Sequence, residues 1–360
     1  MKTLNDFEKI AKKSKRNKLI KTVIISTAVS LLSLGLIYKG LAEVTSKNSE
    51  KLMDHQVVME AIAYPNIDYS SAYYIPSSLF SGTFHSDGYK DIDGINVNYE
   101  NADAAYSLAL INNYGNSGLQ ISKDGKSAYT RTDLFKTPMF YNINHKYTDD
   151  DITTVTQDIP LLSQMAGQAV EVAVTFDKAY TYDEISKLIP NNLKINWYWI
   201  GSSSNYDTAT LYTDAQLGFT VEEGSDLSAD EIDKIHKDVA AALAKDPQAD
   251  TSKYYPVINK ADEKTAFANS YTYFQKYANQ ALKENWVSET FSSGSNDEMN
   301  LTEELESYLK NNASGETAKF SGLILTGRAE NFAQLDDADW IFASNIGQTV
   351  TIQPYHTLDK

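Results

Sequence analysis

The pattern of apolar and polar positions divides the chain into unlike stretches. Seventeen consecutive residues, Thr22 to Tyr38, carry no charge, and nine of them are Val, Ile or Leu. A helix rising about 1.5 Å per residue from Leu19 to Tyr38 reaches about 30 Å, the thickness of a bilayer's hydrocarbon core, if Lys21 snorkels to the headgroups. The pattern predicts a transmembrane helix over 22–38, with the hydroxyls of Ser26, Thr27, Ser30 and Ser33 bonding back to their own helix. A polar stalk over 39–63 follows, in which Glu43 to Lys51 is suited to continue the helix.

Beyond the stalk the period changes. From Tyr64 to Tyr141 short Tyr-rich runs are punctuated by Ser81-Gly82, Asp87-Gly88, Asp93-Gly94, Tyr114-Gly115-Asn116 and Asp124-Gly125, which predicts a small β-rich domain. Residues 142–159 are polar and unpatterned and read as a linker. In the remainder, 160–360, Val170, Val172, Val174 and Phe176 alternate as in a strand, and Thr181-Tyr182-Asp183-Glu184 has the form of a capping box opening a helix that stops at Pro190. Leu193, Ile195, Trp197 and Trp199 alternate again. Ser228-Ala229-Asp230-Glu231 opens a second capped helix, Phe267, Tyr271, Phe274, Ala278, Ala281 and Leu282 line a third, and Thr302 to Asn311 fits a fourth. Phe320–Leu325 and Thr349–Gln353 read as strands around a helical turn at Glu330–Leu335. The expected fold class is therefore α+β behind one N-terminal transmembrane helix. The β-α-β, helical block, β-α-β order allows a ferredoxin-like domain with residues 202–318 inserted.

Charge fixes a direction. Lys12, Lys13, Lys15, Arg16, Lys18 and Lys21 precede the span, against Lys39 alone just beyond it, so the positive-inside rule places the N-terminus in the cytoplasm. The rival reading is a cleaved signal peptide ending near Gly40-Leu41-Ala42; the long apolar core and long basic region favour an anchor in the cell membrane. Residues 1–41 carry nine Lys or Arg against two acids, so a chain of net charge −16 leaves −23 on residues 42–360. So acidic an extracytoplasmic part disfavours nucleic acid as its partner. Cysteine is absent, which excludes disulfides, thiol catalysis and cysteine-ligated zinc.

Candidate chemistry is sparse. The five histidines are dispersed with no ligand spacing, no cofactor motif is found, and Ser292-Ser293-Gly294-Ser295 reads as a loop rather than a nucleophile elbow. Asp91-Ile92-Asp93-Gly94 resembles part of a calcium loop but lacks the remaining ligands, so an Asp-stabilised turn is expected. Tyr73-Tyr74, Trp197-Tyr198-Trp199 and Tyr254-Tyr255 suit either core packing or a platform for a cell-envelope glycan or peptide, the alternative function being an anchored binding protein. No catalytic, cofactor-binding or metal residue is nominated.

The tail, residues 1–21, carries the remaining signal. Leu4, Phe7 and Ile10 form an apolar stripe on a helix running into Lys12, Lys13, Lys15 and Arg16. That pattern suits equally a helix lying on anionic lipid and a helix docking in a partner's groove.

Several stretches together resemble the bacterial sigma factor regulators. Phe7-Glu8-Lys9-Ile10-Ala11-Lys12-Lys13-Ser14-Lys15-Arg16 before a single span, Pro65-Asn66-Ile67, and Leu79-Phe80-Ser81-Gly82-Thr83-Phe84 are similar to the family's N-terminal module. Val170 to Lys178, Ile195 to Trp199, Leu323 to Gly327 and Ala343 to Gly347 are similar to its C-terminal module. The resemblance implies a membrane-bound anti-sigma factor, of the sigma-M type, restraining an extracytoplasmic-function sigma factor. Leu4, Phe7, Ile10, Lys12, Lys13, Lys15 and Arg16 would contact the sigma factor or the bilayer surface, and the outer domain would sense envelope stress. With so short a tail, a second membrane regulator is expected to share the work.

Overall fold

The computed structural model describes residues 2–108, 111–113, 118–221, 227–246, 249–255, 261–293 and 297–360. Helix α1 runs unbroken over Lys2–Ile62, through the apolar stretch and the stalk. Eight short strands follow: β1 Asp68–Ser78, β2 Ser81–Ile92, β3 Ile95–Asn98, β4 Ala102–Ser107, β5 Ile111–Asn113, β6 Leu119–Ile121, β7 Ala128–Thr130 and β8 Lys136–Thr137. The C-terminal part comprises β9 Gln168–Thr181, α2 Tyr182–Leu188, β10 Lys194–Trp199, β11 Gly218–Phe219, α3 Ala229–Lys245, α4 Glu263–Glu284, β12 Thr290–Ser293, β13 Asp297–Asn300, α5 Leu301–Asn311, β14 Lys319–Arg328 and β15 Ile341–Thr351. The chain is thus mixed helix and sheet with one long apolar N-terminal helix. The expected turn at Tyr114-Gly115-Asn116 and the loop residues Gly294 and Ser295 lie outside the described residues.

By its internal contacts the chain forms two units. The first comprises residues 1–52, 74–84 and 104–113. Within it α1 is long and apolar enough to cross a membrane, and none of its apolar window is buried. Two of its hydroxyls bond back to the helix, Thr22 Oγ1 to the Lys18 carbonyl and Ser26 Oγ to the Val23 carbonyl, each at 3.0 Å, so they add little polarity to the apolar face. Tyr74 packs on Phe84 and Tyr106, and Gly82 leaves the room that Tyr106 occupies, since a Cβ there would lie 2.4 Å from the phenol oxygen.

The second unit comprises residues 53–73, 85–103 and 114–360, and its centre is a sheet in the order β11-β10-β14-β9-β15, every neighbouring pair antiparallel. The connections β9–α2–β10 and β14–β15, the latter through a 3-10 turn at Ala329–Leu335, each join strands with one other strand between them. Val170, Val172, Val174 and Phe176 of β9 and Leu323 and Leu325 of β14 face one way, into the main core, where Phe267, Phe274 and Ala278 of α4 cover them. Val172 sits opposite both Leu325 and Ile346, so the apolar rows are in register across three strands. The opposite face is also covered: Ala173, Trp197, Trp199 and Ile324 pack under Phe140, whose ring stacks on Trp199 at 4.8 Å. A sheet buried on both faces explains why β9 and β14 carry apolar residues on either side.

Two details depart from simple alternation. The β10–β14 register shifts between Ile195 and Trp197, leaving Asn196 as a bulged residue. Leu193 and Ile195 therefore join the main core, while Trp197 and Trp199 turn to the other face. Strand β15 starts at Ile341, ahead of the expected Thr349, because its polar residues Ser344 and Asn345 are buried and hydrogen-bonded to Thr156, Asp158 and Met139. Trp197 and Trp199, 1% and 3% exposed, are core residues and not a ligand platform.

The last turns of α1 belong to this unit. Val58, Met59 and Ile62 are buried in the main core, and Pro65 prevents the helix from continuing. Tyr64 and Asn66 both take left-handed backbone angles, φ 61° and 51°. Tyr64 is a bulky residue in a region that L side chains avoid. Its amide donates to the Thr213 carbonyl at 3.0 Å and its ring meets Tyr69 edge-on, which holds the turn.

Candidate functional site

The left-handed turn at the end of α1 aims Asn66 into the interior, where it meets a charged pair. Strand β2 alternates between buried positions and half-exposed or exposed ones, so Lys90 falls on the inward side. In β9, Glu171 lies between Val170 and Val172 and points away from the main core. The two side chains are 0% exposed, and Lys90 Nζ donates to Glu171 Oε1 and Oε2 at 2.9 and 3.0 Å. Asn66 Nδ2 donates to Glu171 Oε1 at 2.9 Å, and the Gln348 amide donates to Oε2 at 3.0 Å. The Lys90 ammonium also sits 4.7 Å above the Tyr99 ring, whose hydroxyl bonds Thr137. Burial pushes the Lys90 pKa down, and the Glu171 carboxylate opposes that shift. Gly347 is required here, because a Cβ on it would lie 2.2 Å from Glu171 Oε2.

Around this pair the bulged Asn196 ties three segments together. Its Nδ2 donates to Asn66 Oδ1 at 2.8 Å and to the Asp91 carbonyl at 2.9 Å, while its Oδ1 accepts from Thr326 Oγ1 at 2.7 Å. Thr326 Oγ1 in turn accepts from the Asp93 amide. Toward the rim, Lys194 bridges Asp91 and Asp359, each at 2.5 Å. Asp93 and Gly94, φ 55° and 88°, form the two-residue turn of the β2–β3 hairpin, and the Gly94 amide bonds Asp91 Oδ1 at 2.6 Å. This is the Asp-stabilised turn expected from the sequence. Among the described residues no group of three or more His, Cys, Asp or Glu is placed to hold a metal ion.

The arrangement is a structural clamp. The side chains of Lys90, Glu171, Asn66 and Asn196 are engaged with one another and with nearby backbone, and removing one member of a buried ion pair leaves the other uncompensated, at a cost of about 3–5 kcal/mol. Lys90, Glu171 and Asn196 were not singled out from the sequence. The available signals were a glutamate inside a run of valines and an asparagine interrupting the alternation of β10.

A second titratable group lies near the end of α1. Asp214 Oδ1 is buried without a hydrogen-bond partner, and the carboxyl interacts electrostatically with Glu289, Glu100 and Tyr64. Burial first, then the Glu289 charge, raises its pKa to about 7.

The residues nominated from the sequence lie at the other end of the helix. Leu4, Phe7 and Ile10 fall in the first turns of α1, and their side chains lie outside the described residues. Lys12, Lys13, Lys15 and Arg16 are exposed on the same helix, and Lys12, Lys15 and Arg16 share one face by their spacing.

One long apolar N-terminal helix, followed by a mixed α+β part with a buried polar clamp, fits a single-pass membrane protein. Residues 8–97 match the family model for the sigma factor regulator N-terminal domain, and residues 162–348 match that for the sigma factor regulator C-terminal domain. The chain belongs to the sigma factor regulator family, a regulatory family, which gives it an anti-sigma role and a sigma factor as partner. No curated protein and no solved structure matches it. Asn66, Lys90 and Asp91 fall within the first matched segment and Glu171, Lys194, Asn196, Thr326 and Gln348 within the second, so the clamp joins the two family modules.

Proposed function

We propose that this protein is a membrane-bound anti-sigma factor for an extracytoplasmic-function sigma factor, with residues 1–21 in the cytoplasm and the acidic domain outside as the sensory part. The observation that carries the reading is the burial of Val58, Met59 and Ile62, the far end of α1, in the core of the domain that would receive the signal. An event that loosens this packing changes the helix whose other end is the tail. The six basic residues from Lys12 to Lys21, just ahead of the span, support the orientation.

In this reading Leu4, Phe7 and Ile10 supply apolar contact, while Lys12, Lys13, Lys15 and Arg16 meet an acidic sigma surface or hold the helix against anionic lipid. In the same reading a second membrane regulator shares the restraint. We further read β10-β14-β9-β15, with its two crossovers, as a ferredoxin-like sheet carrying residues 202–318 as an insertion between β10 and β14.

The test is retention of a sigma factor by the full-length protein in membranes, by the same protein lacking residues 1–21, and by residues 1–21 on a carrier. Retention by the first and last, lost on deletion, is the expected result. A full-length protein that retains no sigma factor, with no change in transcription when it is deleted, sinks the reading.

A further inference from the structure

The β1–β2 hairpin ends in a turn whose chemistry the clamp does not use. From Ser70 to Phe84 fifteen consecutive residues carry no charge, in a chain that is 22% charged overall. Within the first unit, Tyr74 OH donates to the Ser49 carbonyl of α1 at 2.9 Å, and the Phe80 ring packs against Tyr38 with centroids 5.6 Å apart. From Tyr74 to Phe80 an extended chain covers about 20 Å. From Ser49 back to Tyr38 a helix covers about 17 Å. The hairpin therefore runs back along α1 toward the span, and its tip is level with Tyr38, the last residue of the uncharged stretch.

At that tip Leu79 is 74% exposed, and Tyr38 beside it is half exposed. The flanking hydroxyls are satisfied locally. Ser81 Oγ pairs with Ser77 Oγ at 2.9 Å and with Ser78 Oγ at 2.7 Å, and the Phe80 amide donates to Ser78 Oγ at 3.2 Å. A turn with its polar groups paired internally, a large aliphatic side chain projecting and two aromatic rings at its side suits the headgroup boundary, where aromatic rings concentrate.

We propose that the β1–β2 turn is a second membrane contact: Leu79 enters the outer boundary of the bilayer, with Phe80 and Tyr38 at headgroup level. The occupant is lipid, because the turn lies beside the point where the span leaves the hydrocarbon core. The proposal rests on the span being in the bilayer, and not on the identity of the sigma factor.

The chain lacks cysteine, so single thiols can be placed without background. The full-length protein, reconstituted in vesicles of phosphatidylethanolamine and phosphatidylglycerol, is labelled with an environment-sensitive fluorophore at L79C, and at S78C as a second reporter from the same turn. L31C marks the span, and Y355C, at a residue 80% exposed, marks water. The expected result is blue-shifted emission at residue 79 that is lost to shallow nitroxide-lipid quenchers and resists aqueous iodide. Emission like that of Y355C overturns the proposal. So does blue-shifted emission that nitroxide lipids leave unquenched, which would mean that a second copy or another protein covers the turn. Water-like emission from L31C would instead overturn the span itself, which separates the two failures.

Discussion

Lys90 and the lysines of the tail carry the same ammonium group in opposite surroundings. Lys12, Lys13 and Lys15 are exposed on α1, where water solvates each charge and salt screens it within about 8–10 Å. Lys90 is wholly buried and exchanges hydration for Glu171, the Tyr99 ring and the fixed dipoles around them. The difference teaches that burial and not charge count decides what a substitution does. Effects should shrink in order as the altered group moves from the clamp to solvent.

The clamp gives the largest effect. E171A or K90A should destabilise the α+β domain by about 3–5 kcal/mol, because each leaves a buried charge or its amide partners uncompensated. Denaturant unfolding of the detergent-solubilised protein measures it. The double change K90M/E171L should recover only part of the loss, since Asn66 Nδ2 and the Gln348 amide would still lack their acceptor. A single change costing less than about 1 kcal/mol, the range of an exposed pair, would falsify the view that the pair is dry.

Asp214 is next, and its sign is opposite. Its folded pKa is raised from 3.8 to about 7, so the folded state binds more protons than the unfolded state between those values. Stability from this group is fully present below about pH 4 and is lost as pH rises toward 7. Asp93, raised to about 6 chiefly by burial, adds to the same slope. D214N should therefore stabilise the protein on the order of 4 kcal/mol at pH 8 and leave it nearly unchanged at pH 4. Unfolding at the two pH values decides it, and equal effects at both would mean that the carboxyl is solvated. Tyr64, which follows the end of α1, feels the Asp214 charge, so ionisation of Asp214 acts on that turn.

What the sequence disclosed follows the same division. The apolar run of α1, the capped starts of α2 and α3, the face of α4 and the alternation of β9 were legible, because each depends on local spacing or on a side chain bonding its own backbone. Thr181 N donates to Glu184 at 2.8 Å as its capping box implies, and α5 begins one residue before the expected Thr302. The clamp was not legible, because Lys90 and Glu171 are 81 positions apart and only the folded register brings them together. The bulge at Asn196 was hidden for a related reason: alternation predicts faces, and one inserted residue reverses them. Of the hairpin β12–β13 only Ser292 and Ser293 fall in the stretch expected to be a loop, and one apolar pair, Phe291 opposite Met299, is too little alternation to mark a strand.

A cap lies closer to solvent than either buried group. Ser228 Oγ accepts from the Glu231 amide at 3.4 Å, and the Ser228 amide donates to Glu231 Oε2 at 2.8 Å. S228A should cost about 1 kcal/mol, read as a small fall in the unfolding midpoint. A loss matching that of E171A would contradict the ordering by burial.

The smallest effect belongs to one tail lysine, and it separates the tail's two candidate surfaces. A Lys near an anionic membrane contributes about 1 kcal/mol, roughly a fivefold change in binding. K12A should leave the stability of the α+β domain untouched, because no core depends on it. If the tail meets a sigma factor, K12A weakens retention about fivefold at low salt in neutral as well as anionic vesicles, and the difference fades as ionic strength rises. If the tail lies on lipid, the effect on retention requires anionic vesicles and vanishes in neutral ones. A fall in domain stability from K12A would break the comparison at its exposed end, since a solvated charge would then be acting as a buried one.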